Sequence, residues 1–272
     1  MKQFTKQEKE DITKNYLINY NIQELAKQYG VSPARIRTVL RQQNVQIISD
    51  RKELWKKRFP RDSDAFESID TPAKAYWLGF LYADGSIDKD IEILRINLST
   101  KDEAQLLKVK YFLKATNTQI KHNDKKEKDK VYPISYFSIS DKKLCQDLVK
   151  KGCIPNKTYK LLFPSSDIVP TNLLHHFIRG FFDGDGSIYI DEKRNRLCLN
   201  FTGTVEMLNG IKQFLHKENL QLENKDKFAV LHINGNKQVI NILNLLYKDS
   251  FKEIELDRKK EKFHKFTAAH SR

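Results

Sequence analysis

Two aspartates carry the plainest chemistry in this chain. Asp84 lies in the stretch Ala75-Tyr-Trp-Leu-Gly-Phe-Leu-Tyr-Ala-Asp-Gly-Ser-Ile87, and Asp185 lies in His176-Phe-Ile-Arg-Gly-Phe-Phe-Asp-Gly-Asp-Gly-Ser-Ile188. Gly79 aligns with Gly180, Asp84 with Asp185 and Gly85 with Gly186, all at an offset of 101 residues. A single Asp-Gly pair is usually a turn; two copies at equivalent points of a repeat demand more. Each stretch begins as an apolar helix, with Trp77, Leu78, Phe80 and Leu81 in one and Phe177, Ile178, Phe181 and Phe182 in the other. Gly79 and Gly180 have no side chain and let two such helices approach closely. The residues before the aspartates, Ala83 and Gly184, are small as well. Packed about a pseudo-twofold axis, the helices bring Asp84 and Asp185 together at their C-termini. Carboxylates are poorly placed there, facing each other at the negative end of two helix dipoles. A divalent cation resolves the conflict, and Mg²⁺ suits carboxylate, carbonyl and phosphate oxygens.

The elements around the motifs repeat too. Leu94, Ile96 and Leu98 alternate with Arg95, Asn97 and Ser99; Leu197, Leu199 and Phe201 alternate with Arg196, Asn200 and Thr202. Period two with one polar face predicts half-covered antiparallel strands. A helix follows in each copy, lined by Leu106, Leu107, Phe112 and Leu113 in the first and by Met207, Leu208, Ile211, Phe214 and Leu215 in the second. Thr100 and Glu103 have capping-box spacing for the first of these helices. Further strands fit Tyr136–Ser140 and Val230–Asn234, and closing helices fit Leu144–Lys150 and Val239–Tyr247. The charged stretch Lys121–Lys130 is expected as a solvated hairpin loop. The fold class is therefore α+β: two pseudo-symmetric αββαββα units over residues 72–168 and 169–272. Sheets with helices on one face leave the other bare. Here the bare faces carry Arg95, Asn97, Ser99 and Ser138, and Arg196, Asn200, Thr202 and His232, side-chain types that read base edges and grip phosphates.

Residues 1–46 form a separate small all-α unit. Thr5 and Glu8 make a capping box for a helix running to about Tyr20. A second helix fits Ile22–Tyr29, with Leu25 and Ala26 inward. Gly30 and Val31 turn the chain, Ser32 caps a third helix and Pro33 takes its first position. Ile36, Val39 and Leu40 face inward; Arg35, Arg37, Thr38, Arg41 and Gln42 lie mostly opposite. Helix, glycine turn and basic helix is the helix-turn-helix arrangement, whose last helix enters the major groove. Residues 47–71 are a basic linker, either a strap over DNA backbone or a short helix.

Lys and Arg number 49 against 35 Asp and Glu, a net charge of +14 with a pI near 9.5, which favours a polyanionic partner. No apolar run is long enough to span a membrane, and the N-terminus lacks the apolar stretch of a secretory signal. The basic residues lie on half-covered strands and a helix without a large exposed apolar face, which disfavours membrane-surface binding. Cys145, Cys153 and Cys198 show no metal-ligand spacing and are expected as free buried thiols.

Residues 78–85 and 179–186 match the pattern that names the LAGLIDADG homing endonucleases, and with the repeat the resemblance covers about residues 72–265. It implies a saddle of antiparallel sheets over duplex DNA. It also implies a monomer without an obligate protein partner, acting wherever its DNA lies, and phosphodiester hydrolysis with Mg²⁺ or Mn²⁺. It makes Asp84 and Asp185 the metal-binding catalytic acids, with Ala83 and Gly184 beside them in the metal site. Lys157, in Pro155-Asn-Lys-Thr158, and Lys259, in Leu256-Asp-Arg-Lys259, stand where the family places a basic residue near each metal centre. The earlier acidic position of the motif is Tyr82 in the first copy and Asp183 in the second, which leaves Asp183 structural or accessory. The alternative on the same fold is a non-cleaving DNA- or RNA-binding protein, a transcription regulator or an intron maturase.

Overall fold

The computed structural model describes residues 2–88, 92–127, 130–217 and 220–269. The chain divides into two compact units, residues 1–61 with 114–117, and residues 62–113 with 118–272.

In the first unit, α1 (Lys6–Asn19) opens with the expected capping box, Thr5 Oγ1 accepting from Glu8 N and the Glu8 carboxylate accepting from Thr5 N. α2 (Ile22–Tyr29) ends at Gly30, whose φ of +65° is the left-handed conformation glycine adopts without strain. Ser32 caps α3 (Pro33–Gln42), with Pro33 at its start. Phe4, Ile12, Tyr16, Leu25, Ala26, Ile36, Val39 and Leu40 form one core. A fourth helix, α4 (Arg51–Arg58), occupies the stretch expected as linker, capped by Asp50 and carrying a Trp55–Phe59 ring contact at 4.3 Å. The Arg51 and Lys52 side chains lie outside the described residues.

The second unit runs α5 (Pro72–Asp84), β1 (Gly85–Ile87), β2 (Ile93–Ser99), α6 (Glu103–Phe112), β3 (Lys121–Glu127), β4 (Lys130–Ser140) and α7 (Lys142–Lys150). The order then repeats as α8 (Leu174–Asp185), β5 (Gly186–Asp191), β6 (Arg196–Gly203), α9 (Val205–Phe214), β7 (Leu222–Asn224), β8 (Ala229–Asn234) and α10 (Asn236–Tyr247). A further helix, α11 (Asp257–Ala269), follows; it has no counterpart in the expected pattern. The sheets are ordered β1-β2-β4-β3 and β5-β6-β8-β7, antiparallel throughout. This is the αββαββα duplication that the alternation of apolar and polar residues dictates.

Leu94, Ile96 and Leu98 are buried under the first sheet, and Leu197, Leu199 and Phe201 under the second. Both sheets pack around the helix pair α5 and α8, whose apolar residues are buried on every side. A helix apolar all round belongs inside a domain, which is why the motif helices form the centre and the sheets flank them.

Two local expectations are corrected. Thr100 and Glu103 do not form a capping box: Thr100–Asp102 is a 3₁₀ turn, and α6 starts without a side-chain cap. The Glu103 carboxylate instead accepts from Ser135 Oγ at 2.6 Å and meets His122 at 2.5 Å, because a buried β4 hydroxyl lies within reach. The stretch 121–130 is not a loop. Lys121–Glu127 pairs with Lys130–Tyr136 as a charged two-stranded ribbon, and only residues 128 and 129 fall outside the described part. Alternation of Lys with Asn, Asp and Glu left no apolar face by which the strand could be recognised.

Candidate active site

The site is built by the crossing of α5 and α8. A Cβ placed on Gly79 would lie 1.9 Å from the Phe177 carbonyl oxygen, and one on Gly180 would lie 1.9 Å from the Tyr76 carbonyl oxygen. Tyr76 and Phe177 are themselves equivalent positions of the repeat. Each helix therefore presents its glycine to the same carbonyl of the other, which is a pseudo-twofold contact at backbone distance. Further along, a Cβ on Gly184 would lie 2.2 Å from Ala83 Cβ and 2.9 Å from Asp84 Oδ2. Asp84 thus sits against the residue preceding Asp185, with both acids at the C-terminal ends of the crossed helices.

Their electrostatics match that crowding. Loss of hydration pushes the Asp84 carboxyl up to about 7, and the neighbouring Asp185 adds to the rise. Desolvation raises Asp185 as well. Asp84 is half-buried and Asp185 reaches the surface, but both lie where protein displaces most surrounding water. Lys157 and Lys259 pull both values down without restoring the ordinary range.

The two lysines hold the helix ends. Lys157 Nζ donates to Ala83 O at 2.9 Å. Lys259 is buried, and its ammonium donates to the carbonyls of Phe182, Asp183 and Gly186. Three donors are the full complement of an ammonium, so Lys259 caps α8 and offsets its dipole beside Asp185. Burial lowers its pKa to about 8. Lys259→Met should therefore lower the melting temperature by several degrees, a loss on the order of 2 kcal/mol for three orphaned carbonyls; circular dichroism would check it, and an unchanged melting curve would contradict the capping role.

Asp183 Oδ2 accepts from Tyr76 OH at 2.7 Å and from Leu256 N at 2.8 Å. Arg179, fully buried, donates to Ile254 O and Leu246 O and stacks over Tyr76. Both residues therefore pin the strand-like segment that leads into α11 and Lys259. Tyr82, the counterpart of Asp183, donates its hydroxyl to Lys151 O ahead of Lys157. None of these partners is readable from the motif, since each lies 67–107 residues away in sequence.

The polar sheet faces hold the remaining candidates. Arg95, Asn97, Ser99 and Ser138 are exposed, Arg95 lying opposite Ser138. Arg95, Asn97 and Ser99 line a groove of about 540 Å³ with Asn123, Lys125 and Tyr136. On the second sheet Arg196 is exposed, and Asn200, Thr202 and His232 are half-buried. His232 bridges Asn200 Oδ1 at 3.0 Å and Glu223 Oε2 at 2.9 Å; Glu223 is an acidic member of this face absent from the sequence reading. In the first unit Arg37 and Arg41 are exposed on α3, whereas Arg35 turns inward, donating to Lys2 O and covering the Phe4 ring.

The oxygen donors present suit a hard divalent cation: the Asp84 and Asp185 carboxylates with the Ala83 and Gly184 carbonyls. Burial first, and the neighbouring Asp185 second, keep the Asp84 pKa raised, a cost that a cation between the two carboxylates would relieve. Among the described residues no group of three or more His, Cys, Asp or Glu gathers as a metal cluster, so an ion would also need ligand or water oxygens. All three cysteines are buried and free. No helix among the described residues is long and apolar enough to cross a membrane.

Duplicated αββαββα units joined by glycine-apposed helices are the class of α+β protein that this fold and site define. The family model described as the LAGLIDADG-like domain matches residues 71–152. The fold is shared with the homing endonuclease I-WcaI bound to its DNA recognition sequence, at a TM-score of 0.53 and 13% identity over 76% of this chain and 92% of that one. Also similar are the I-LtrWI LAGLIDADG homing endonuclease bound to target DNA (TM-score 0.46, 14% identity, 78% and 92% covered) and full-length DUF199/WhiA from Thermatoga maritima (0.42, 15%, 76% and 66%). Among curated proteins no sequence matches.

Proposed function

We propose that the chain is a site-specific double-stranded DNA endonuclease that hydrolyses phosphodiester bonds as a monomer, using Mg²⁺ or Mn²⁺ at Asp84 and Asp185. The observation that carries this reading is the reciprocal glycine contact of α5 and α8, which sets two desolvated carboxylates side by side between two polar sheet faces. The approximate dyad of the helix pair matches the twofold symmetry of duplex DNA, so each half can serve one strand. Asp84, Asp185, Ala83 and Gly184 would hold the ion, which when bound supplies an activated water and charge neutralisation at the phosphate. Lys157 and Lys259 fix the helix ends so that the acids keep their spacing. The sheet faces would take the flanking duplex, Arg95, Asn97 and Arg196 having the chemistry for base edges or phosphates. The DNA found with I-WcaI supports this choice of partner.

The test is cleavage of a supercoiled plasmid library by the purified full chain. Linear product is expected with Mg²⁺ and none with EDTA; intact plasmid under both conditions, with retained duplex binding, would point to the non-cleaving alternative.

In the same reading, the N-terminal helices are a helix-turn-helix module that adds affinity. Arg37→Ala with Arg41→Ala should weaken duplex binding and flatten its salt dependence by about one to two charges. The cleavage rate at saturating DNA should not change. A loss of rate without a loss of affinity would place α3 elsewhere than on DNA.

A further inference from the structure

Beside Asp84 a cavity of about 140 Å³ is lined by Asp102, Arg258, Gln105, Asp183, Asn97 and Ser99, among others. Asp84, Asp102 and Asp183 line it together with one arginine, Arg258. Arg258 grips Asp102 with both arms of a fork, Nε to Oδ1 at 2.7 Å and Nη2 to Oδ2 at 2.9 Å. The Asp102 side chain is 12% exposed and that of Arg258 48%. The acid is therefore the anchored partner, and the guanidinium faces the open side. A bidentate carboxylate uses two of the five N–H donors of arginine and fixes its plane, leaving the others for a second planar or tetrahedral oxyanion. Asn97 and Ser99, which line the same cavity, belong to the polar sheet face, so this guanidinium stands between that face and Asp84.

Among the described residues the second half shows no such fork. The residue preceding Lys157 is Asn156, whose backbone is in the left-handed region at φ 52°, and the registers that set Gly85 opposite Ile96 and Gly186 opposite Phe201 put the buried Met207 in the place of Asp102. A cationic donor fork is the group that a phosphodiester approaching the Asp84 and Asp102 side chains most needs.

We propose that Arg258 binds the phosphate at the Asp84 half of the site and that Asp102 orients it, so that the two strands of the duplex are cut by unequally equipped halves. This rests on the endonuclease reading above.

The test uses a duplex carrying a site recovered from the random library with wild-type protein and Mg²⁺, labelled on one strand or the other. Arg258→Ala should slow cleavage of one strand by about 10²-fold and leave the other unchanged, so that nicked duplex accumulates. Arg258→Lys should fall between, keeping the charge and losing the fork. Asp102→Asn should slow the same strand, by less. Misfolding would slow both strands together, so equal slowing, or no slowing, in Arg258→Ala overturns the assignment while leaving the endonuclease reading intact. Absence of cleavage by wild-type protein would remove that reading, and this inference with it.

Discussion

Asp84→Asn is expected to abolish cleavage and, in metal-free buffer at pH 8, to raise the melting temperature. Both effects come from one charge. Loss of a metal-holding carboxylate removes several kcal/mol of transition-state stabilisation, at least about 10³-fold in rate. Duplex binding, which rests on the sheet faces, should persist in a gel shift. The stability gain follows from linkage. The Asp84 carboxyl sits at about 7 in the folded chain against an ordinary value of 3.8, so the folded state holds its proton more tightly than the unfolded state. Between these values stability falls as pH rises; above about pH 7 the whole penalty is present, and below about pH 4 it is absent. With allowance for solvent screening, the penalty is on the order of 3 kcal/mol, or roughly 5 °C or more in melting temperature. The gap between Asp84→Asn and wild type should therefore be widest above pH 7 and close as pH falls to 4. Adding Mg²⁺ should narrow it at pH 8, because the ion stabilises only the wild-type anion. A gap independent of both pH and Mg²⁺ would mean that Asp84 carries no strained charge and that its place in a metal site is wrong.

How much of this was legible beforehand depends on the range of each interaction. The motif, the glycines and the alternating strands are local patterns with fixed periods, and they predict the αββαββα duplication and the meeting of Asp84 with Asp185. The boundary of α2 and the caps of α1 and α3 were readable for the same reason, since a cap and its target lie three residues apart. Long-range pairs were not. Glu103 has capping-box spacing from Thr100, yet Ser135 and His122, far along the chain, take its carboxylate. Arg35 has the periodicity of an outward residue, but Lys2 O and Phe4 draw it in. Arg179 stands where the first repeat has Leu78; nothing in the sequence says that a guanidinium can be buried there, because its partners are carbonyls of residues 246 and 254. The Asp102–Arg258 fork joins positions 156 residues apart. The single hint was Arg258 beside Lys259, and adjacency does not reveal that the two side chains serve opposite halves.

Gly79→Ala and Gly180→Ala are each expected to cost about 3 kcal/mol or more, although alanine is the better helix former by about 1 kcal/mol. Packing overrides propensity because the new methyl would stand 1.9 Å from a backbone carbonyl oxygen that cannot rotate away. The second-nearest atoms are also rigid, the Phe177 carbonyl carbon at 2.8 Å for Gly79 and Phe80 N at 2.8 Å for Gly180. Relief requires α5 and α8 to separate along their whole crossing, which loosens the aromatic contacts on both sides, such as Tyr82 with Phe177. Since both glycines set the same interhelix distance, the two substitutions should not add. Once one methyl has pushed the helices apart, the second meets less resistance, so the double variant should cost clearly less than the sum of the singles. Urea melts of the three variants would measure this, and strict additivity would show that the contacts relax independently. Activity should report the same distance more sharply. Asp84 and Asp185 ride on the C-terminal ends of these helices, and a displacement of about 1 Å is enough for a 10²-fold loss of rate. Gly184→Ala isolates that effect. Its methyl would meet the Ala83 methyl and Asp84 Oδ2, which are side-chain atoms, so the helix ends shift locally while the crossing at Gly79 and Gly180 stays closed. It should therefore lose cleavage out of proportion to its loss of stability. Equal proportions in Gly184→Ala and Gly180→Ala would mean that the acids are not placed by this crossing.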